Sequence, residues 1–550
     1  MGREINLDSI PALDVEIIRL KRTRNSLLNI ARIPPEILSH IFHLSTTKAG
    51  DPHFGGIPKG SYNFLLVCHH WFKVALSTPE LWTSWGNNLK DWKRWHLRSG
   101  SSALDLIFDG YNYRGGGFDE IPGDALKDRV ARNVIRKVHL KSERTLLLTA
   151  IISLLIPEGQ DVRPSSVESI VLSNVNIDFS DPSSRHCVRL LGEGGLDISN
   201  LFARHCFPKL RNLHLSGYFR ISSWDCLKST TMALTNLSLN LGTTGLPSST
   251  GPTTSQILSL LASNPNLRSL ALRALPINDD GGGGPSLQVP LHHLEYISLS
   301  GNFRRVFAIL HRLELPEGVD DGEITLVDCT AQEILEVVGP YIHDYLQRDG
   351  RFRDRLGVLA SSDSGRILFE ASVIEVGYRG PDRLPQHSPP YARFWVWLFY
   401  SITHCVGLCT RVLALLPQES IVSLKTDLQA TEEILVAMPN LEALHLISPV
   451  VPNRFLLPDP KGSNAYGKLL PSLRRLYLEG VKAVDENWDP LVTYLTCQTF
   501  GGQAVSLNVF GEGVHVCSEV IKQIESLVEE LIYVPDLREK CPFDKCPQAE

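Results

Sequence analysis

Apolar residues keep two rhythms in this chain, a helical one near the amino end and a short stranded one that repeats through most of the remaining length. Between residues 8 and 31, Ile10, Leu13, Ile17, Leu20 and Leu27 keep to alternating steps of three and four, with Arg24 interrupting. That spacing predicts an amphipathic helix. It falls short of the three or four heptads of a coiled coil, so its apolar side is expected to pack on the next helices in the chain. Its basic cluster, Arg19, Lys21, Arg22 and Arg24, reads as a solvated face rather than a nuclear signal. Pro34 and Pro35 suit the first positions of a second helix, where a missing N–H costs little, and Ile37, Leu38, Ile41 and Phe42 then recur at helical spacing. A third helix is expected from about Tyr62, with Leu65, Cys68, Phe72 and Leu76 on one face and Val67, Trp71, Val74 and Ala75 continuing round it. Thr78 is placed to cap a last turn opened by Pro79 and closed by Leu81 and Trp82.

Beyond Trp82 a helical stretch carrying Trp85, Trp92 and Trp95 gives way to Ala103–Phe108, whose alternation is that of a strand. One template then recurs. It reads Leu210-x-x-Leu213-x-Leu215, and it returns at Leu234, Leu267, Leu294, Leu441 and Leu473, with Ile135-x-x-Val138-x-Leu140 and Val167-x-x-Ile170-x-Leu172 as variants. Steps of 24, 33 and 27 residues separate the middle copies and 32 the last two. The spacing is similar to that of leucine-rich repeats, at about 20–29 residues or slightly longer. The last two apolar positions would alternate on a short strand and point inward, the first would pack at the turn before it, and successive strands would lie parallel. Helical spacing at Ser255–Leu261 and Thr431–Met438 supplies an outer layer. A proline often stands just before the strand, as at Pro208, Pro265, Pro439 and Pro471, where it stops the helix.

The segment from Ile33 to Trp82 is too rich in large apolar side chains for its size, since domains below about 60 residues bury only about 60% of the surface of their unfolded chain. Part of it is expected to be covered from outside. Its order of elements resembles the F-box: Ile33-Pro34, Glu36-Ile37-Leu38 with Ile41-Phe42, Val67-Cys68 with Trp71, and Pro79 with Leu81-Trp82. A Gly/Pro-rich insert from about Thr47 to Gly60 lengthens the link between the first two helices. The leader Glu16-Ile17-x-x-Leu20-Lys21-x-x-Arg24-Asn25 is similar to that of the large fungal F-box family. The expected fold is therefore α/β, with a small all-α F-box followed by an irregular leucine-rich-repeat solenoid whose parallel sheet is concave and whose helices lie outside. Residues 1–31 form the leading helix, 32–84 the F-box, 85–130 a connector, 131–535 the solenoid and 536–550 a tail.

Between Leu299 and Leu441 the template fades, with Ile324–Leu326, Ile367–Phe369 and Ile421–Leu424 as degenerate strands and helical runs at Ala331–Leu346 and Phe394–Leu416. Loops rich in Gly, Pro, Ser and Asp at 110–123, 241–254, 279–286, 380–390 and 449–467 read as excursions from the array rather than linkers. Strand Ala504–Phe510 and helix Ser518–Tyr533 are expected to close it. Phe394–Thr410, 17 residues without a charged side chain, approaches membrane length, but its Ser401, Thr403, His404 and Gly407 and the lack of a Lys/Arg-rich flank favour a buried helix.

A net charge of −6 and a pI near 6.3 offer no footprint for nucleic acid and do not favour an anionic membrane. The eleven scattered cysteines, with no signal peptide before them, point to a reducing cytoplasmic or nuclear compartment without disulfides. No catalytic motif appears. Gly462-x-x-x-x-Gly467-Lys468 lacks the Ser/Thr and the helix of a phosphate loop, because Leu469 and Pro471 come next. His186-Cys187, His205-Cys206 and Cys541-x-x-x-x-Cys546 supply no four-ligand zinc set. Asn236-Leu237-Ser238 formally accepts an N-glycan, idle without secretion. No cofactor or metal is expected.

The resemblance implies a non-enzymatic substrate receptor of an SCF-type cullin–RING ubiquitin ligase. Pro34, Ile37, Leu38, Ile41, Phe42, Val67, Trp71, Leu81 and Trp82 would meet the Skp-type adaptor. Outward strand positions would hold a protein substrate: His214, Ser216, Ser238, Asn240, Arg273, Ser298, His445, Tyr477 and Glu479. The alternative is a leucine-rich-repeat interaction scaffold that works without a ligase.

Overall fold

In the computed structural model the first apolar residue of the template makes the same turn in copy after copy. The N–H groups of Leu210, Leu267, Leu294, Leu441 and Leu473 each donate to the carbonyl three residues back, at 3.1–3.2 Å. The residue after that position then offers its carbonyl to the next copy. Glu168 accepts from Arg211 and Asn212, Arg211 from Thr235 and Asn236, Arg268 from Glu295 and Tyr296, and Glu442 from Arg474 and Arg475. Two N–H groups on one carbonyl fix the register, so that every template apolar residue is buried, from Ile135 to Leu478. Apart from gaps of one to three residues, the structure describes 10–47, 63–85, 92–109, 123–142, 148–155, 163–174, 196–241, 251–273, 277, 288–316, 319–348, 356–373, 393–399, 411–426, 438–451, 470–483, 491–496, 505–511 and 518–535.

The chain is mixed α/β, with parallel strands and intervening helices, and it divides into two compact units. One comprises residues 1–267 and 273–289, the other 268–272 and 290–550.

The first unit begins with helix α1 (Ile10–Ser26), in which no residue is buried. The expected packing of this helix on the next ones is therefore corrected. Helix α2 (Pro35–Thr47) starts where its prolines place it, and Leu38 N–H already donates to Pro34. The third helix comes in two pieces. A 3-10 turn at Asn63–Leu66 is followed by α3 (His69–Leu76), with Cys68 extended at its amino end rather than inside it. Thr78 does not cap the last turn, because its hydroxyl turns back to donate to Val74. Leu38, Phe42, Phe64, Val74, Ala75, Leu81 and Trp82 form one core. Phe42 stacks on Phe64 at 4.3 Å and meets the edge of Trp71 at 5.2 Å, and Trp82 donates its indole N–H to Ala75.

That core runs straight into a sheet. Strands β1 (Ser84–Trp85), β2 (Leu104–Asp109), β3 (Ile135–Lys141), β4 (Ser169–Asn174), β5 (Asn212–Gly217) and β6 (Asn236–Asn240) pair in this order, all parallel. The segment 85–130 thus contributes strands to the sheet as well as helix Trp92–Ser99. Before the second unit, helix Thr254–Ala262 carries a capping box. Thr253 Oγ1 accepts from Gln256 N–H, and Gln256 Oε1 from Thr253 N–H. Asn264 closes this turn by accepting from Leu234 N–H and donating to Leu260.

The second unit contains β7 (Ser269–Arg273) except its last residue, β8 (Tyr296–Asn302), β9 (Asp321–Val327), β10 (Leu356–Asp363), β11 (Arg366–Val373), β12 (Arg393–Phe399), β13 (Ile421–Thr426), β14 (Ala443–Ile447), β15 (Arg475–Glu479), β16 (Ser506–Gly511) and β17 (Glu530–Pro535). Strands β8 and β9 are parallel, and β13 to β17 pair consecutively and parallel. Between them the order is β9, β12, β11, β10, β13, with β11 antiparallel to both neighbours. Two expectations fail here. Arg393–Phe399 is a strand, not a buried helix, and Ser518–Tyr533 is a helix only to Glu525 before it becomes β17. The helical run at Ala331–Arg348 is present, with a π turn at Ile334–Val338. The insert at 48–60, the helix at 431–437, the phosphate-loop resemblance, His186-Cys187 and the terminal cysteines lie outside the described residues.

Candidate functional site

Two surfaces hold the residues singled out by the sequence. The first is the amino-terminal helical cluster, where helical geometry splits α2 into two apolar faces. Leu38 and Phe42 point into the core and are fully buried, whereas Ile37, Ile41 and Leu44, at i, i+4 and i+7, are 53, 40 and 40% exposed. Leu81 and Trp82 are also sealed inside, the latter beneath the Arg98 guanidinium at 4.5 Å. These four residues hold the cluster together and are corrected as docking contacts. Trp71 is half-buried and ties the preceding turn in place by donating to Ile30. Pro34 and Val67 are exposed. Leu66 and Phe72, not among the expected contacts, add exposed apolar surface. Their signal was their position on the expected third helix, which its break at Cys68 turned outward.

The second surface is the polar side of the parallel strands. In the first unit the register lays it out in rows: Asp105, Lys137, Ser169, Asn212 and Asn236; then Ile107, His139, Val171, His214 and Ser238; then Asp109, Lys141, Ser173, Ser216 and Asn240. His214, Ser216, Ser238 and Asn240 are brought together on adjoining strands and are half-buried. Asn212 and Asn236 hydrogen-bond side chain to side chain.

The neighbouring cluster on β2 to β4 was not singled out, although the template at Ile135 and Val167 marks its outward positions. Asp105, buried, takes two hydrogen bonds from Arg136 at 2.9 and 2.8 Å and lies 3.6 Å from Lys137 Nζ. That pairing raises the Arg136 pKa further. His139 Nε2 is 2.9 Å from Ser169 Oγ. Burial pushes the His139 imidazole down to about 4, Lys137 adds to the effect, Asp105 opposes it and His214 adds slightly.

In the second unit Ser298 is corrected as a contact, because it is buried and donates to Glu323 at 3.1 Å. His445 and Tyr477 are opposite each other on β14 and β15, half-buried, with ring centroids 5.5 Å apart. Asn508 continues that row on β16; it is buried, and its Oδ1 has no hydrogen-bond partner among the described residues. Arg273, exposed at the end of β7, falls to the first unit. Glu479 lies on β15, its side chain outside the described residues.

These groups are hydroxyls, amides and imidazoles with interspersed ion pairs, able to donate and accept hydrogen bonds. Among the described residues no three His, Cys, Asp or Glu side chains come together as metal ligands, and no helix is long and apolar enough to cross a membrane. No protein-family model and no curated protein matches the chain.

Proposed function

We propose that this chain is a substrate receptor of an SCF-type cullin–RING ubiquitin ligase, an F-box joined to an irregular leucine-rich-repeat solenoid. The reading rests above all on the outward stripe of α2. Ile37, Ile41 and Leu44 stay exposed while the opposite face of the same helix is fully buried. A helix that is apolar on two sides and covered on one has surface left for a partner. The Skp-type adaptor would take that stripe, and the polar strand face would take a protein substrate. The chain itself performs no chemistry. Tethering raises the effective concentration of substrate lysines near the ubiquitin-charged partner.

Co-purification with the adaptor tests this. Wild type is expected to recover it and Ile37→Asp to lose it while keeping its fold. Leu38→Asp is only a folding control, because it would bury a charge in the core. Equal recovery by wild type and Ile37→Asp overturns the reading. The polar strand face also fits a protein-binding scaffold outside any ligase, which would retain its partners with no adaptor bound.

A further inference from the structure

Helix α1 buries no residue, and Ile10, Leu13, Ile17 and Leu20 remain 41, 59, 47 and 53% exposed. A lone helix of this length is marginal in water, where most helical stability comes from covering an apolar face. This one also carries Pro11, several β-branched residues and no acidic residue in its first turn. The Glu16–Arg19 ion pair is exposed on both sides and adds little. A partner on that seam would stabilise the helix.

We propose that α1 pairs antiparallel with α1 of a second copy of this chain. Ile10, Leu13, Ile17, Leu20 and Arg24 occupy alternating a and d positions of α1, a seam shorter than that of a self-standing coiled coil, and Leu27 follows in the turn just past its end. A parallel pair would set Arg24 against Arg24 of the second copy in one core layer. An antiparallel pair sets Ile17 against Leu20 and Arg24 against Leu13, where the long guanidinium stem can run out to water. The flanking e positions are Asp14 and Lys21. In the antiparallel arrangement they face each other twice about the two-fold axis, with opposite charges each time. The flanking charges thus suit a second copy, and the Arg24 layer sets the direction, because only the antiparallel pair keeps the two guanidinium groups apart.

Sedimentation equilibrium of the full chain at micromolar concentration tests the proposal. Wild type is expected to dimerise reversibly and Leu13→Asp to be monomeric. Asp14→Lys places like charges at both flanking contacts and is expected to weaken the dimer about tenfold. Asp14→Lys combined with Lys21→Asp restores opposite charges and should restore the dimer. Because these two variants leave the apolar seam intact, they carry the test even if Leu13→Asp disturbs the fold. A wild type monomeric throughout, a dimer indifferent to Leu13→Asp, or a double variant no stronger than Asp14→Lys overturns it. So does a helix that becomes protected only when the Skp-type adaptor is added, since that assigns the seam to another occupant.

Discussion

The His139 imidazole stays neutral in the folded protein well below the pH at which a free histidine charges, because burial lowers its pKa from 6.5 to about 4. Above about pH 6.5 neither state is protonated there. As pH falls from about 6.5 towards about 4 the unfolded chain takes up a proton that the folded chain refuses, and stability drops. The expected loss is about 2 kcal/mol across that window. His139→Gln should flatten this dependence, as read from urea midpoints along a pH series. Asp105 behaves differently, since it is buried against Arg136, whose outer side stays partly exposed. Asp105→Asn keeps the shape but strands a guanidinium, and a loss of about 2 kcal/mol is expected by chemical denaturation. Neither role was legible from the residue alone. The template marks His139 as outward, as it does His214 and Ser298, but how far a neighbouring strand closes over each position depends on pairings that the sequence does not spell out.

Strand register was largely legible, because the repeated apolar triplet allows only one alignment that buries every copy. Gly217 makes one consequence measurable. It has φ +112°, and it pairs with Asn174 so closely that an added Cβ would run into that residue's carbonyl. Gly217→Ala is expected to cost about 3 kcal/mol or more, seen as a lowered melting temperature. Where the sequence misled, the reason is also local. Phe394–Phe399 is uniformly apolar, and periodicity cannot tell a buried strand from a buried helix in such a run. Its aromatic and β-branched content favoured the strand. The same holds for Leu531–Val534, which extends the apolar spacing of the preceding helix yet pairs with β16. In α2 the reverse occurred. The helix was placed correctly, but apolar residues all round it concealed which of them, Leu38 and Phe42 or Ile37 and Ile41, would face inward.

The expected α/β class holds in both units. The three-stranded meander of β10 to β12 was legible only in its middle strand, where Ile367–Phe369 reads as a degenerate copy, because β10 and β12 match no copy of the template. It is nonetheless built into the sheet of the second unit. Val396 lies on β12 with a partner strand on each side, Ile324 on β9 and Phe369 on β11. Val396→Pro removes a ladder donor there and is expected to cost at least about 3 kcal/mol. Hydrogen exchange should report it as lost amide protection in β9.

The placement of β12 beside β9 also sets a timetable for biosynthesis. On the ribosome β9 is completed long before its neighbour emerges, and the two strands made in between end up farther away than the one made last. Until residue 399 has left the exit tunnel, the nascent chain carries an open strand edge with no lawful occupant. That interval is when a chaperone would matter most to this protein.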